Sequence, residues 1–190
     1  MPKHILVAYV EDKPGVLNRV ASLFRRRAFN IDSLTVGRTE QEGVSRMTIV
    51  VDTDEVTARR IEANLYKLVN VLRVDDVTNK PAVVRDLALV KVSAANGKRA
   101  EILQLADVFR ARVVDIEERS LMLEVTGSED KIEGLIKVLQ PFGIIEMVRT
   151  GIVAMARGAE AVSPNPPTVA AQLAEPGNGE ATPAGLAMSV

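Results

Sequence analysis

Cysteine and tryptophan are absent from this chain of 190 residues, and histidine occurs once, as His4. Without cysteine there is no disulfide framework, thiolate metal site, cysteine nucleophile or thiol redox switch. A single histidine cannot build a multi-histidine metal site, and a Ser-His-Asp triad would have to use a residue that opens a probable strand. Aromatic side chains make up 3% of the sequence, too thin a supply of flat rings for base stacking or a sugar platform. Neither sign of charge prevails, since 24 basic and 25 acidic residues leave a formal charge of −1. That balance gives no global field to hold nucleic acid or an anionic membrane. Long apolar runs are missing too. Met1 to His4 lead into a short run broken by Glu11-Asp12-Lys13, and nothing later reaches the ~18 uninterrupted apolar residues of a membrane span. The expectation is a soluble, cytoplasmic protein.

What is present is core material: 47% of residues are hydrophobic and 26% charged, enough for one or two packed domains. The composition changes beyond Arg157. Residues 158–190 hold Pro164, Pro166, Pro167, Pro176 and Pro183, many alanines and glycines, and no basic or aromatic side chain. Such a segment is expected to be a disordered, solvated tail.

Hydrophobic periodicity gives one succession of elements twice. A buried strand is predicted over His4 to Val10, then a helix with Leu17, Val20, Ala21, Phe24 and Ala28 on one face. Strands over Ile31 to Arg38 and Val44 to Val51 follow, joined by a polar turn ending at Gly43. Asp52-Thr53-Asp54 reads as a cap cluster for a helix presenting Ala58, Ile61, Leu65 and Leu68, and Val71 to Val77 closes the unit. After Pro81 the order restarts with a strand at Leu87 to Val92 and a turn at Asn96-Gly97-Lys98. A helix with Ile102, Leu105, Ala106 and Phe109, strands near Val113 to Glu117 and Leu121 to Val125, and a helix with Ile132, Leu135, Ile136 and Leu139 come next. A strand near Ile144 to Val148 and an extended piece, Ile152 to Met155, complete it. The fold class is α+β, two tandem ferredoxin-like β-α-β-β-α-β units. Their expected spans are residues 3–78 and 87–157, with 79–86 as linker and 158–190 as tail.

The most informative stretch is Glu11-Asp12-Lys13-Pro14-Gly15-Val16-Leu17, between the first strand and first helix. Proline suits a helix start because its missing N–H would be unpaired there, and glycine lets another group approach the backbone. The N–H groups of Gly15, Val16 and Leu17 then form a positive dipole end, a seat for a carboxylate, with Asp12 beside it for an ammonium group. Together these are the minimum for holding a free amino acid. A plainer reading is open on spacing alone: Asp12 caps the helix and Gly15 permits a turn.

Asp12-Lys13-Pro14-Gly15-Val16-Leu17 resembles the signature of the ACT domain, a ferredoxin-like module that binds amino acids and regulates metabolic enzymes. The strings from Arg27 to Gly37, Ser45 to Ile49, Leu68 to Val74, Leu89 to Val92 and Arg149 to Gly158 are similar to the small, regulatory subunit of acetolactate synthase, so the resemblance runs from Lys3 to about Arg157. It implies an effector-binding ACT domain followed by the C-terminal domain of that family. It also implies a non-catalytic subunit that activates a separate catalytic subunit and carries feedback inhibition by valine, in valine, leucine and isoleucine biosynthesis. Thiamine diphosphate, magnesium and FAD are then expected on the catalytic subunit and no cofactor on this chain. The implied partners are the large catalytic subunit, a second copy of this chain through the ACT domain, and valine or another branched-chain amino acid. Residue by residue, the effector site would take Asp12, Gly15, Val16 and Leu17 from one copy and Asn30 and Ile31 from its mate. An amide at Asn30 can serve both ends of a zwitterion; a simple turn role for it is the alternative. Some family members carry Asn where this chain has Asp12, so this chain brings an extra negative charge.

Other features weigh less. Arg25-Arg26-Arg27 is read as a solvated run offsetting a helix dipole, and Lys98-Arg99 as part of a structural turn, since the second unit lacks the Asp-x-Pro-Gly chemistry. An independent enzyme finds no nucleophile-base pair or phosphate-cradling loop here. An RNA reader with the same element order would need rings on its central strands, where only Tyr9 stands. An ACT regulator of a different metabolic enzyme is the nearest alternative.

Overall fold

The computed structural model describes residues 2–95 and 97–158. The stretch read as a disordered tail lies outside the described residues from 159 onward, as does Asn96 of the predicted turn. The first unit runs β1 (Lys3–Glu11), α1 (Val16–Arg26), β2 (Ser33–Arg38), β3 (Val44–Asp52), α2 (Glu55–Leu65) and β4 (Val71–Asp76). The second runs β5 (Ala82–Ser93), α3 (Arg99–Val108), β6 (Arg112–Ile116), β7 (Ser120–Gly127), α4 (Glu129–Leu139) and β8 (Ile144–Arg149), followed by β9 (Val153–Ala156). The sheets have orders β2-β3-β1-β4 and β6-β7-β5-β8, with β9 added beside β5. Two β-α-β-β-α-β units in tandem are what the periodicity predicts.

Strand alternation divides each sheet into two faces. Leu6, Ala8 and Val10 of β1 and Met47, Ile49 and Val51 of β3 pack with Val20, Phe24, Ile61 and Leu65 of the helices into the first core. In the second, Val90, Leu121 and Leu123 meet Ile102, Ile132, Leu135 and Leu139. A fully buried Leu, Ile or Phe of this kind contributes ~1.5–3 kcal/mol.

The opposite face of the first sheet carries Ile5, Val7 and Tyr9, and the chain covers it with its own C-terminal strand: Val7, Val77 and Ala154 form a third buried cluster with Val84 against it. Strand β5 serves both units. Its N-terminal end pairs with β9 over Ala82–Arg85, while its remainder lies at the centre of the second sheet against β7 and β8.

Several expectations are corrected. The segment 79–86 is mostly strand rather than linker, because β9 supplies Ala82 to Arg85 with a partner and Pro81, which cannot donate, accepts from the Arg157 N–H at 2.8 Å. Helix α1 stops at Arg26, so Ala28 is not on its buried face. Ala28 takes φ 56°, and the Phe29 N–H donates to the Phe24 carbonyl at 3.0 Å. This Schellman-type closure brings the Phe29 ring edge-on to Phe24, centroids 6.1 Å apart. Strand β2 begins at Ser33 rather than Ile31, and Leu68 packs on the first core from beyond the end of α2. The predicted cap holds, with Asp54 Oδ1 accepting from the Thr57 N–H at 2.8 Å.

Candidate effector site

The residues from Glu11 to Leu17 form a tight crossing from β1 into α1. The Asp12 N–H donates to the Gly43 carbonyl at 2.8 Å and the Lys13 N–H to the Glu11 carbonyl at 2.9 Å, anchoring the turn to the sheet. Gly15 is the residue that ends the crossing and caps α1. Its φ of 84° is left-handed, which favours glycine, and a Cβ built there meets nothing within 4 Å. No side chain caps this helix. Asp12 therefore does not take the capping role; its carboxylate turns to Arg38 at 3.3 Å, a pair whose arginine side chain is 87% exposed. Such a surface pair contributes little and can yield to another cation. Val16 is buried in the core, whereas Leu17 remains 46% exposed at the mouth of the turn. At the start of α1 the Val16 N–H donates to the Lys13 carbonyl at 3.3 Å; this helix start without a side-chain cap, a nearby carboxylate and an exposed aliphatic side chain thus stand together.

Asn30 and Ile31 stand elsewhere. Asn30 is exposed and Ile31 half-buried against the first core, just before β2. Glu11 lies opposite Val44 and Ser33 opposite Val50 in the registers of β3 with its two neighbours. The two halves of the expected site consequently sit at opposite ends of one sheet, which a single chain cannot bring together. Strand β2 is an edge strand of that sheet, with β4 at the other edge.

A clamp beneath the turn escaped the sequence reading. Asn70 donates through Nδ2 to Glu11 Oε2 at 2.5 Å, accepts from the Glu11 N–H at 2.9 Å, and accepts from Arg19 Nη1 at 2.6 Å. Lys13 donates to Glu11 Oε1 at 3.1 Å. The Asn70 hydrogen bond first, and Lys13 second, hold the Glu11 carboxyl below the ordinary carboxylate range. Asn70 leads into β4, the neighbour of β1. Only that topology connects residues 59 positions apart.

Tyr9 is no platform for a base. Arg73 and Arg46 lie over its ring at 5.4 and 5.9 Å, and the ring packs against the cluster built on Ala154. Among the described residues, no helix is long and apolar enough to cross a membrane.

Residues 6–73 match the AHAS small subunit-like ACT domain, and residues 85–158 match the small subunit of acetolactate synthase. A probable acetolactate synthase small subunit from Archaeoglobus fulgidus is 49% identical over 156 residues, covering 82% of this chain and 98% of that protein. The chain belongs to the acetolactate synthase small-subunit family. The acetolactate synthase small subunit of Mycobacterium leprae is 48% identical over 158 residues, covering 83% of this chain and 94% of its own length. In three dimensions, the acetolactate synthase small subunit from Thermotoga maritima, 40% identical, matches with a TM-score of 0.78 over 83% of this chain and 99% of that one. A small subunit of acetolactate synthase has the large, catalytic subunit as its partner.

Proposed function

We propose that this chain is a non-catalytic regulatory subunit that raises the activity of the acetolactate synthase catalytic subunit and transmits feedback inhibition by valine or another branched-chain amino acid. Its place is in cytoplasmic synthesis of valine, leucine and isoleucine. Thiamine diphosphate, which supplies the carbanion chemistry of the reaction, is assigned with magnesium and FAD to the catalytic subunit; this chain is assigned none of them.

The observation that carries the reading is the uncapped start of α1 at Gly15, with open space where a side chain would stand. In the proposed complex the effector's carboxylate approaches the N–H groups at Gly15, Val16 and Leu17, competing at Val16 with the long bond to the Lys13 carbonyl, where the helix dipole favours negative charge. Asp12 receives the ammonium group, displacing the exposed Arg38. The aliphatic side chain lies against Leu17. Asn30 and Ile31 come from a second copy, a reading supported by the separation of the two half-sites within one chain. A C2 dimer formed beside β2 supplies two equivalent sites.

The test is a mixing experiment. Purified chain, inactive alone, should raise the turnover of its own organism's acetolactate synthase catalytic subunit, and valine should reverse that gain. Valine binding with no change in that enzyme's turnover would favour a regulator of a different metabolic enzyme.

A further inference from the structure

The connection from β8 to β9 runs as a strap over the first sheet, on the face away from α1 and α2. Thr35 of β2 faces two strap carbonyls, with Oγ1 3.3 Å from the Thr150 oxygen and 3.2 Å from the Ile152 oxygen. Arg46 of β3 donates through Nη2 to the Ala154 carbonyl and through Nη1 to Thr48 Oγ1 at 3.1 Å. Between these anchors Gly151 sits so close to β2 that a Cβ would stand 3.1 Å from the Ser33 Cβ, and its φ is 83°.

The seam is bonded without being rigidly keyed. A hydroxyl has one proton, so Thr35 donates to one of the two strap carbonyls at a time and the other is left without that bond. The Ser33 hydroxyl is buried there without a hydrogen bond. A cavity of about 400 Å³ opens alongside, lined by Asp32, Ser33 and Leu34 of the first unit and by residues including Arg149, Thr150 and Gly151 of the second. Close-packed interiors transmit displacement as a whole, whereas a void lets one element shift against another. At the far end, Arg149 holds Asp86 of β5 and Glu133 of α4, each at 2.5 Å.

We propose that this strap carries the effector signal from the first unit to the second, with Thr35 and Arg46 as coupling residues that do not touch the effector. The proposal rests on the effector reading above and adds its route. Asn30 and Ile31 lie immediately before β2, so ordering them on a ligand biases the position of β2. Thr35 passes that bias to Thr150 and Ile152, and Arg149 conveys it to β5 and α4. Coupling of this kind needs an element whose two arrangements both sites bias, and in this proposal that part falls to the strap, bonded to β2 and β3 at Thr35 and Arg46 and to the second unit through Arg149.

The experiment uses full-length chain with the catalytic subunit. Valine binding to the chain is measured by calorimetry, and holoenzyme activity is measured with and without saturating valine. Thr35→Val and Arg46→Met should bind valine within about 2-fold of the unaltered chain and still activate, while valine inhibition falls by about 3-fold or more, an uncoupling of ordinary allosteric size. Thr35→Ser, which keeps the hydroxyl, should restore inhibition. Full inhibition in both Thr35→Val and Arg46→Met overturns the strap and leaves the effector site standing. Loss of valine binding in those variants also overturns it, by making them binding residues, and failure of the serine variant removes the hydroxyl from the route. No binding of any branched-chain amino acid by the unaltered chain would bring down the effector reading and this proposal with it.

Discussion

Gly15 and Asn30 stand at opposite ends of one β-sheet: the turn holding Gly15 follows the β1 residue opposite Val44, and Asn30 precedes the β2 residue opposite Val50. Six residues of extended chain separate those register points, ~20 Å at strand rise. An amino acid cannot reach both within one protomer. On the proposed effector reading, binding and self-association are linked, and a ligand bound only by the dimer stabilises the dimer.

Gly15→Asp should abolish valine inhibition and leave activation largely intact. Left-handed backbone at this position costs a non-glycine residue ~1 kcal/mol, and no atom within 4 Å obstructs the new Cβ, so the chain still folds. Its carboxylate meets the effector's carboxylate at short range, a penalty of ~1–4 kcal/mol depending on local dielectric. Gly15→Asn carries the backbone strain without the charge and should retain more inhibition. Inhibition curves for both variants, with activation as the internal control, check this, and an unchanged curve for the aspartate variant would remove Gly15 from the site.

Asn30→Ala should weaken inhibition without affecting the fold, because the residue is exposed. In mixed dimers of Asn30→Ala and Gly15→Asp chains, one of the two sites receives both lesions and the other receives neither. Calorimetry should then report half the normal number of sites. A count of zero contradicts sharing between protomers.

The clamp under the turn from β1 into α1 depends on pH. Asn70 and Lys13 lower the Glu11 pKa in the folded chain from its ordinary 4.5. The stabilisation is fully present above that ordinary value and is lost as pH falls through the lowered one. Amide hydrogen exchange over residues 11–17 should accelerate in that acid range relative to the rest of β1. Glu11→Gln should flatten the pH dependence, and an identical acid profile for the variant would exclude Glu11 as its source.

Asp86, with a side chain 1% exposed, is held by Arg149 at 2.5 Å and by the Thr150 hydroxyl at 3.2 Å. Asp86→Ala strands Arg149, which keeps only the exposed Glu133. Because Arg149 is itself partly solvated, the cost should be ~2–3 kcal/mol, below the full penalty for a deeply buried pair. Urea denaturation at fixed protein concentration measures it, and a change under ~0.5 kcal/mol, the range of ordinary surface substitutions, would show that the pair is energetically idle.

Ending the chain after Gly158 should leave activation and inhibition almost unchanged. The match to the Archaeoglobus protein uses 98% of that protein within 82% of this chain, so the family likeness needs no counterpart of the last segment. Its composition also offers little apolar surface against an ordering cost of ~1–2 kcal/mol per residue. A large fall in activation on shortening would assign that segment a docking role.

Period and punctuation in the sequence determined the element order, both cores and the tight turn from β1 into α1. The continuous apolar run Ile5 to Val10, the helical spacing of Val20 with Phe24 and of Ile61 with Leu65, and the Asp54 cap are local properties that the chain expresses wherever it folds. Pro14 and Gly15 marked the turn because a special backbone geometry needs those residue types. Tertiary structure decided what depends on contacts between distant segments. It turned most of the supposed linker into strand by bringing β9 to Ala82–Arg85, and it seated Ala154 over Val7. It also placed Asn70 under Glu11 and strap carbonyls on Thr35 and Arg46. A hydroxyl or guanidinium carries no periodicity that announces its partner, so pairings 59 to 117 residues apart exist only once the sheets have formed and brought those backbones together.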